Sequence, residues 1–270
     1  MKKIYFILSV ILLATTSQMQ GQNDSIFFWK NNVMIHKQSI KTADLDSITF
    51  RRPANPNGLN IPGPNVTDID GNTYQSVTNC GLTFTKQNLN VSKYSDGTPI
   101  PQVQDPTQWA NLTTGAWCYY NNDPANGAIY GKLYNWYAVA GIYDAASLTN
   151  PALRKKLAPT GWHVPTDAEW TQLTDCMGGE AFAGGKMKAI GTTLWLSPNT
   201  GATNESGFTG LPAGYWWSSF TNIGYEGWWW SSSESFSTDA HVRYLYFNNE
   251  LASNVIIGKN RFIAVRCIED

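Results

Sequence analysis

Charge is scarce in this chain. Only 14% of its 270 residues are Asp, Glu, Lys or Arg, against about 25% in ordinary soluble proteins. The formal net charge is −1, which argues against bulk attraction to nucleic acid or to an anionic membrane. Histidine is rarer still: His36, His163 and His241 stand far apart in the sequence. The cysteines are Cys80, Cys118, Cys176 and Cys267. None forms a CxxC pair, which argues against a zinc knuckle or a thioredoxin-like redox site. There is no GxSxG elbow, HExxH helix or phosphate-binding glycine loop. Beyond residue 14 no apolar run approaches the roughly 20 residues of a membrane span.

What the chain has instead is aromatic side chains: 12 Trp, 13 Tyr and 11 Phe. With so little charge, its surface must be covered by Asn, Ser, Thr and Gly. That composition fits an extracellular, loop-rich β protein. It also fits a surface that binds by stacking and neutral hydrogen bonds.

The N-terminus has a secretory layout. Lys2 and Lys3 precede an apolar run over 4–14, and polar TTSQMQGQ follows. The run is too short for a comfortable membrane span. No Cys follows it, so a lipoprotein site is missing, and cleavage is expected near Gln20 or Gly21. The expected location is extracellular, cell-surface or periplasmic, with no transmembrane segment in the mature chain. Exported proteins oxidise cysteines. Four cysteines allow three pairings, and free buried thiols are the alternative.

Four segments are expected: a signal over 1–21, a short β-element over 22–52, a linker over 53–65 and one domain over 66–270. In the β-element, strands over 25–29 and 33–38 flank the turn pair Asn31-Asn32. Asp44-Leu45-Asp46-Ser47 then leads into Ile48-Thr49-Phe50, which ends this element. The linker PANPNGLNIPGPN is rich in Pro, Gly and Asn. In the domain, Asp70-Gly71-Asn72 marks a hairpin, and 82–89 and 117–120 read as strands. LYNWYAVA (133–140) reads as a buried helix. The clearest helix covers 167–177. Thr166 and Glu169 form a capping box, Trp170, Leu173 and Met177 share a face, and Gly178-Gly179 ends it. A shorter helix is expected over 185–190. Beyond Trp228 the pattern turns to strands. Residues 241–247 alternate, and 262–268 form a final apolar strand.

Several stretches, in order, resemble the Fibrobacter succinogenes major paralogous domain. They are VTDIDGNTYQSV with LTFTKQNLNVSKYSDGTPIP, GAWCYYNND with YGKLYNWYAV, LAPTGWHVPTDAEWTQL, and WWWSSSES through FIAVRCIED. Phe84 stands where the family has Trp, and Cys80 is additional. HVPTDAEW and AVRC are also similar to segments of the sulfatase-modifying family. The resemblance implies an α+β, C-type-lectin-like domain with small antiparallel sheets and two or three helices, its terminal strands paired. It implies that Cys267 pins the last strand, with Cys118 favoured over Cys176 as partner.

The oxidase relatives use a close reactive cysteine pair, whereas these cysteines are scattered, so no catalysis is expected. His163 reads as a hydrogen-bonded structural residue, and Glu234 and Asp239 read as solvated acids. Asp68, Asp70 and Asn121-Asn122-Asp123 offer oxygen ligands of the type calcium takes. They complete no EF-hand, so no cofactor is expected, with calcium the one candidate.

The site is expected in 215–260, where aromatics alternate with Ser, Asn and Gly as in antibody loops. The expected ligand-binding residues are Trp216, Phe220, Asn222, Tyr225, Trp228, Trp230, His241, Tyr244, Tyr246, Asn254, Val255 and Ile257. The partner is a glycan or a protein at the cell surface. Alternation across Trp228, Trp229 and Trp230 is expected to bury the middle residue or its two neighbours. Lectin-like domains with such segments also serve as variable proteins of diversity-generating retroelements. The resemblance then implies variation at Trp216, Phe220, Asn222, His241, Val242, Asn254, Val255 and Ile257. An enzyme built on the sulfatase-modifying scaffold and a structural surface protein are the competing classes.

Overall fold

The computed structural model describes residues 24–30, 33–40 and 58–270. The chain divides into two units, Met1–Arg52 and Pro53–Asp270. The first holds the expected hairpin. Asp24–Lys30 pairs antiparallel with Val33–Ile40, from Lys30↔Val33 at the turn to Asp24↔Ile40, with a shift between Phe28 and Trp29. The expected signal and Ile48-Thr49-Phe50 lie outside the described residues.

The second unit is α+β. Its largest sheet has five strands in the order Trp162–His163, Ile268–Glu269, Leu82–Thr85, Ser76–Asn79 and Ile61–Pro62. The C-terminal strand therefore lies beside an early one, with Ile268 opposite Phe84. Ile61–Pro62 falls inside the stretch expected as linker. It pairs with Thr78 and Val77, and Leu59 before it is buried. From Gly58 onward that stretch belongs to the domain. Six α-helices occur among the described residues, not two or three. Three of them, Pro106–Trp109, Trp136–Val139 and Ala145–Thr149, are single turns or little more, a length that hydrophobic periodicity does not resolve.

Local chemistry sets the expected elements. In the hairpin Val66–Thr67/Thr73–Tyr74 the Asp68 carboxylate accepts from Asp70 N at 3.0 Å and Asn72 N at 2.9 Å. Helix Asp167–Cys176 opens on the capping box: Glu169 N donates to Thr166 Oγ1, and Thr166 N donates to Glu169 Oε2 at 2.7 Å. Trp170, Leu173 and Met177 are buried, and Gly178 and Gly179 stop the helix at φ 103° and 93°.

The strands expected over 82–89 and 117–120 are shorter, Leu82–Thr85 and Trp117–Cys118, and three further elements differ from expectation. The second helix is Glu180–Met187, earlier than the expected 185–190. Gly184 and Gly185 lie inside it as spacers. A Cβ on Gly184 would lie 2.1 Å from Leu251 O, and one on Gly185 2.5 Å from Gly201 O. The buried helix over 133–140 is split. Leu133–Tyr134 pairs with Trp117–Cys118, and Asn135 caps the single turn Trp136–Val139 through Ala138 N. The final apolar stretch is buried but is not one regular strand. Phe262, Ile263 and Ala264 bridge in turn to Trp216, Tyr134 and Trp229.

That last segment divides two hydrophobic clusters. Phe262, Ala264 and Ile268 point into one, with Phe84, Trp109, Trp170, Trp195, Phe208 and Trp229. Ile263, Val265 and Cys267 point into the other, with Tyr134, Trp136, Trp162 and Trp230. Beside them sits Arg266, fully buried. Its Nε donates to Asn88 Oδ1 at 2.6 Å, Nη1 to Thr85 O and Phe208 O, and Nη2 to Thr209 O at 3.0 Å. No carboxylate among the described residues pairs with it; oxygen dipoles and the Phe208 ring at 4.4 Å surround the charge.

The disulfide expectation is corrected. Cys80 bonds to Cys176, joining the Asn79–Leu82 turn to the end of the helix Asp167–Cys176. Cys118 and Cys267 are free and buried, and they belong to different clusters. The cysteine additional to the family pattern is the one that pairs.

Candidate functional site

The three-stranded sheet Glu226–Glu234, Asp239–Tyr246, Ala252–Gly258 carries most of the expected site. Its register aligns Trp228 with Tyr244 and Ser253, Trp229 with Arg243 and Asn254, and Trp230 with Val242 and Val255. Side chains alternate between faces along each strand. Trp228, Trp230, Val242, Tyr244, Tyr246, Val255 and Ile257 therefore share one face. Trp229, His241, Arg243, Asn254 and Ile256 share the other.

On the first face one end is core. Trp230, Val242 and Ile257 are buried, and Trp230 Nε1 donates to Tyr134 O at 2.8 Å. The other end is a half-buried aromatic row. Trp228 stacks on Tyr244, centroids 4.5 Å apart and planes 14° apart. Tyr215 meets Trp228 at 5.2 Å, and Trp217 meets Tyr215 at 6.4 Å. Trp228 Nε1 donates to Glu226 Oε2 at 2.8 Å. Tyr246 and Tyr225 both contact Phe247, at 4.9 and 5.2 Å.

The second face is bound to the helices. Asp167 Oδ1 meets Arg243 Nη2 at 3.2 Å, and Asn254 Nδ2 donates to Asp167 Oδ2 at 3.3 Å. Asn254 N donates to Glu180 Oε1 at 2.8 Å, and His241 Nδ1 lies 3.7 Å from Asp167 Oδ2.

The expected site thus divides. Tyr225, Trp228, Tyr244, Tyr246 and Val255 remain accessible in part, as does Asn222, whose Nδ2 lies 3.5 Å from Tyr215 Oη. Trp216, Trp230 and Ile257 are corrected to core residues, as is Val242. Trp216 sits edge-on to Trp109 at 4.3 Å. Phe220 packs on Trp109 and Tyr120. His241 and Asn254 brace the opposite face. Alternation across the three tryptophans also fails: Trp229 and Trp230 are both buried, because clusters cover both faces of the sheet there. In the second unit nine Trp are buried, so its aromatic wealth is mainly core and leaves Trp217 and Trp228 for contact. Tyr215, Trp217 and the neighbouring Arg261 were not expected. The alternation in Tyr215-Trp216-Trp217 is the signal that finds the first two.

The remaining acids and thiols are engaged. Asp68 also accepts from Asn72 Nδ2 and Tyr74 Oη, and Asp70 accepts from Ser92 N and Oγ and pairs with Lys93. Asp123 caps a helix through Ala125 N. These carboxylates build turns and caps. Among the described residues no group of three or more His, Cys, Asp or Glu is placed to hold a metal. Glu234 pairs with buried Lys259, away from any joint role with Asp239. Burial pushes the Cys118 and Cys267 thiols up, which leaves them inert.

His163 bridges Asp270 Oδ1 at 2.8 Å and Glu169 Oε1 at 2.9 Å, tying the C-terminal residue to the helix cap. Burial raises the Glu169 carboxyl, but Thr166 N, Thr166 Oγ1 and His163 together outweigh it and hold it below its usual range. A depressed carboxyl contributes stability above its unfolded pKa of about 4.3 and loses it as pH falls through the folded value. The melting temperature is expected to fall from pH 5 to pH 3, and Glu169→Gln to make that decline shallower from a lower start. Parallel slopes for the two proteins in thermal melts would contradict this assignment.

Fold and surface together define a class: an α+β domain that presents an aromatic row on one sheet face. A family model described as the Fibrobacter succinogenes major domain matches residues 77–269. The chain belongs to that family. No curated protein and no solved structure matches it. No helix among the described residues is long and apolar enough to cross a membrane.

Proposed function

We propose that this is an exported, non-catalytic binding module that displays the row Trp217, Tyr215, Trp228, Tyr244 and Tyr246 to a glycan or protein ligand at the cell surface. The observation that carries this reading is the half-buried Trp228–Tyr244 stack on a sheet whose other face is braced on the helices by Arg243 and Asn254. Aromatics fixed in this way offer contact area at small entropy cost. The secretory layout of the N-terminus and the Cys80–Cys176 disulfide support export. The pairing of the last strand with an early one supports a lectin-like arrangement. The engaged acids and inert thiols support a role without chemistry. Retroelement variation would be tolerated at exposed positions such as Asn254; substitutions at Trp216, Val242 and Ile257 would disrupt core packing.

The test is a glycan and surface-protein array probed with the purified chain, with and without chelator. Binding is expected to ignore chelator and to weaken about thirtyfold in Trp228→Ala. Binding that needs calcium, or that survives Trp228→Ala unchanged, overturns the proposed site. A chain that binds nothing and self-assembles favours the structural reading.

A further inference from the structure

One end of the aromatic row carries a cation. The Arg261 guanidinium lies over the Trp217 ring, 4.1 Å from its centroid, and Nη1 donates to Trp217 O at 2.9 Å. Nε is buried and has no hydrogen-bond partner, and among the described residues no protein acceptor takes the Nη2 hydrogens. Trp217 is 45% exposed and Ser218 and Ser219 beside it are exposed. A guanidinium held flat on an indole keeps its terminal Nη edge oriented for a planar carboxylate.

The charges around this end choose among anionic ligands. Glu226 lies along the row, hydrogen-bonded to Trp228. Asp239 is the acid that acts on Arg261 without forming an ion pair with it. A ligand with carboxylates along its whole length meets repulsion from both. A ligand with one carboxylate on an otherwise neutral, stackable chain does not. Polyacidic peptides are of the first kind, and a neutral glycan bearing a single uronic acid is of the second. Ser218, Ser219, Asn222 and Ser253 flank the row with the neutral donors and acceptors that sugar hydroxyls need.

We propose that Trp217 and Arg261 form an acid-recognising subsite for a uronic-acid unit of a glycan. Its carboxylate sits on the Arg261 edge, and the neutral part of the chain runs along Tyr215 and Trp228. This rests on the binding reading above and names its ligand class.

The test is calorimetric titration of the full chain with three probes. They are xylotriose carrying one glucuronate, the methyl ester of that sugar, and tetraglutamate. The acid is expected to bind about tenfold more tightly than its ester, the gain of one charge-assisted contact. Arg261→Gln is expected to erase that difference, bringing acid and ester to one affinity. Trp217→Ala weakens both sugars. Equal affinity for acid and ester, or a difference that persists in Arg261→Gln, overturns the subsite and leaves the aromatic row standing. Tightest binding to tetraglutamate replaces the glycan with an acidic protein partner. Failure of wild type to bind either sugar also overturns the subsite, and the array then decides whether the row binds protein.

Discussion

Arg266→Met is expected to destabilise the domain by about 3–5 kcal/mol, more than any surface substitution. The methionine fills much of the volume, so the loss is not mainly a cavity. It comes from Thr85 O, Phe208 O and Thr209 O, which lose their guanidinium donors inside the fold. Buried acceptors without donors cost about 1–3 kcal/mol each, with partial relief by relaxation. Asn88 Oδ1 keeps the Trp229 indole N–H at 2.8 Å and suffers less. Arg266→Lys retains the charge but presents one nitrogen to acceptors that the planar fork reaches in several directions. Its stability should fall between the two. Urea midpoints of the three proteins measure this, and a Met variant within 1 kcal/mol of wild type, about the error such a difference carries, would contradict the role given to Arg266.

Removing the disulfide is the second large effect. Cys80 and Cys176 are 96 residues apart, and closing a loop of that order restricts the unfolded chain by up to about 4.7 kcal/mol. Cys80→Ser/Cys176→Ser is expected to lose about 4 kcal/mol, and reductant should lower wild type towards the double variant. Cys118→Ala, which removes one buried sulfur, should cost about 1 kcal/mol. Thiol titration of the unreduced chain in denaturant should find two reactive cysteines, Cys118 and Cys267. Peptide mapping that joins Cys267 to either other motif cysteine would contradict the pairing.

These two features mark where sequence reasoning reaches its limit. The helix at Asp167 was legible because Thr166, Glu169 and Gly178 act within a few residues of each other. The hairpin at Asp68 was legible for the same reason. The pairing of Cys80 with Cys176 depends on bringing a turn to a distant helix end, which spacing does not encode. The tail around Phe262 was legible as buried, but its division between two clusters follows from Trp216, Tyr134 and Trp229, each in a different element.

The site was legible in the same partial way. Period two states which side chains share a face, and the register confirms Trp228 with Tyr244. It does not state which end of that face is covered. Trp230 is lost to the core because Trp136 and Val139 belong to the cluster on that side, and Ile257 goes with it. His241 and Asn254 were expected beside the aromatics. They are displaced to the helix side by the same alternation, since each is one residue out of phase with the row. Arg261 carried no local signal, because its partner Trp217 is brought to it by the bridge between Trp216 and Phe262.

The most direct measurement compares two paired variants on the same array: Trp228→Ala/Tyr244→Ala on the aromatic face and His241→Ala/Asn254→Ala on the helix face. The account predicts that the first pair abolishes the ligand signal of wild type while the second pair keeps it, with both proteins folded by circular dichroism. Loss of signal in the second pair and not the first would place the binding surface on the opposite face and contradict it.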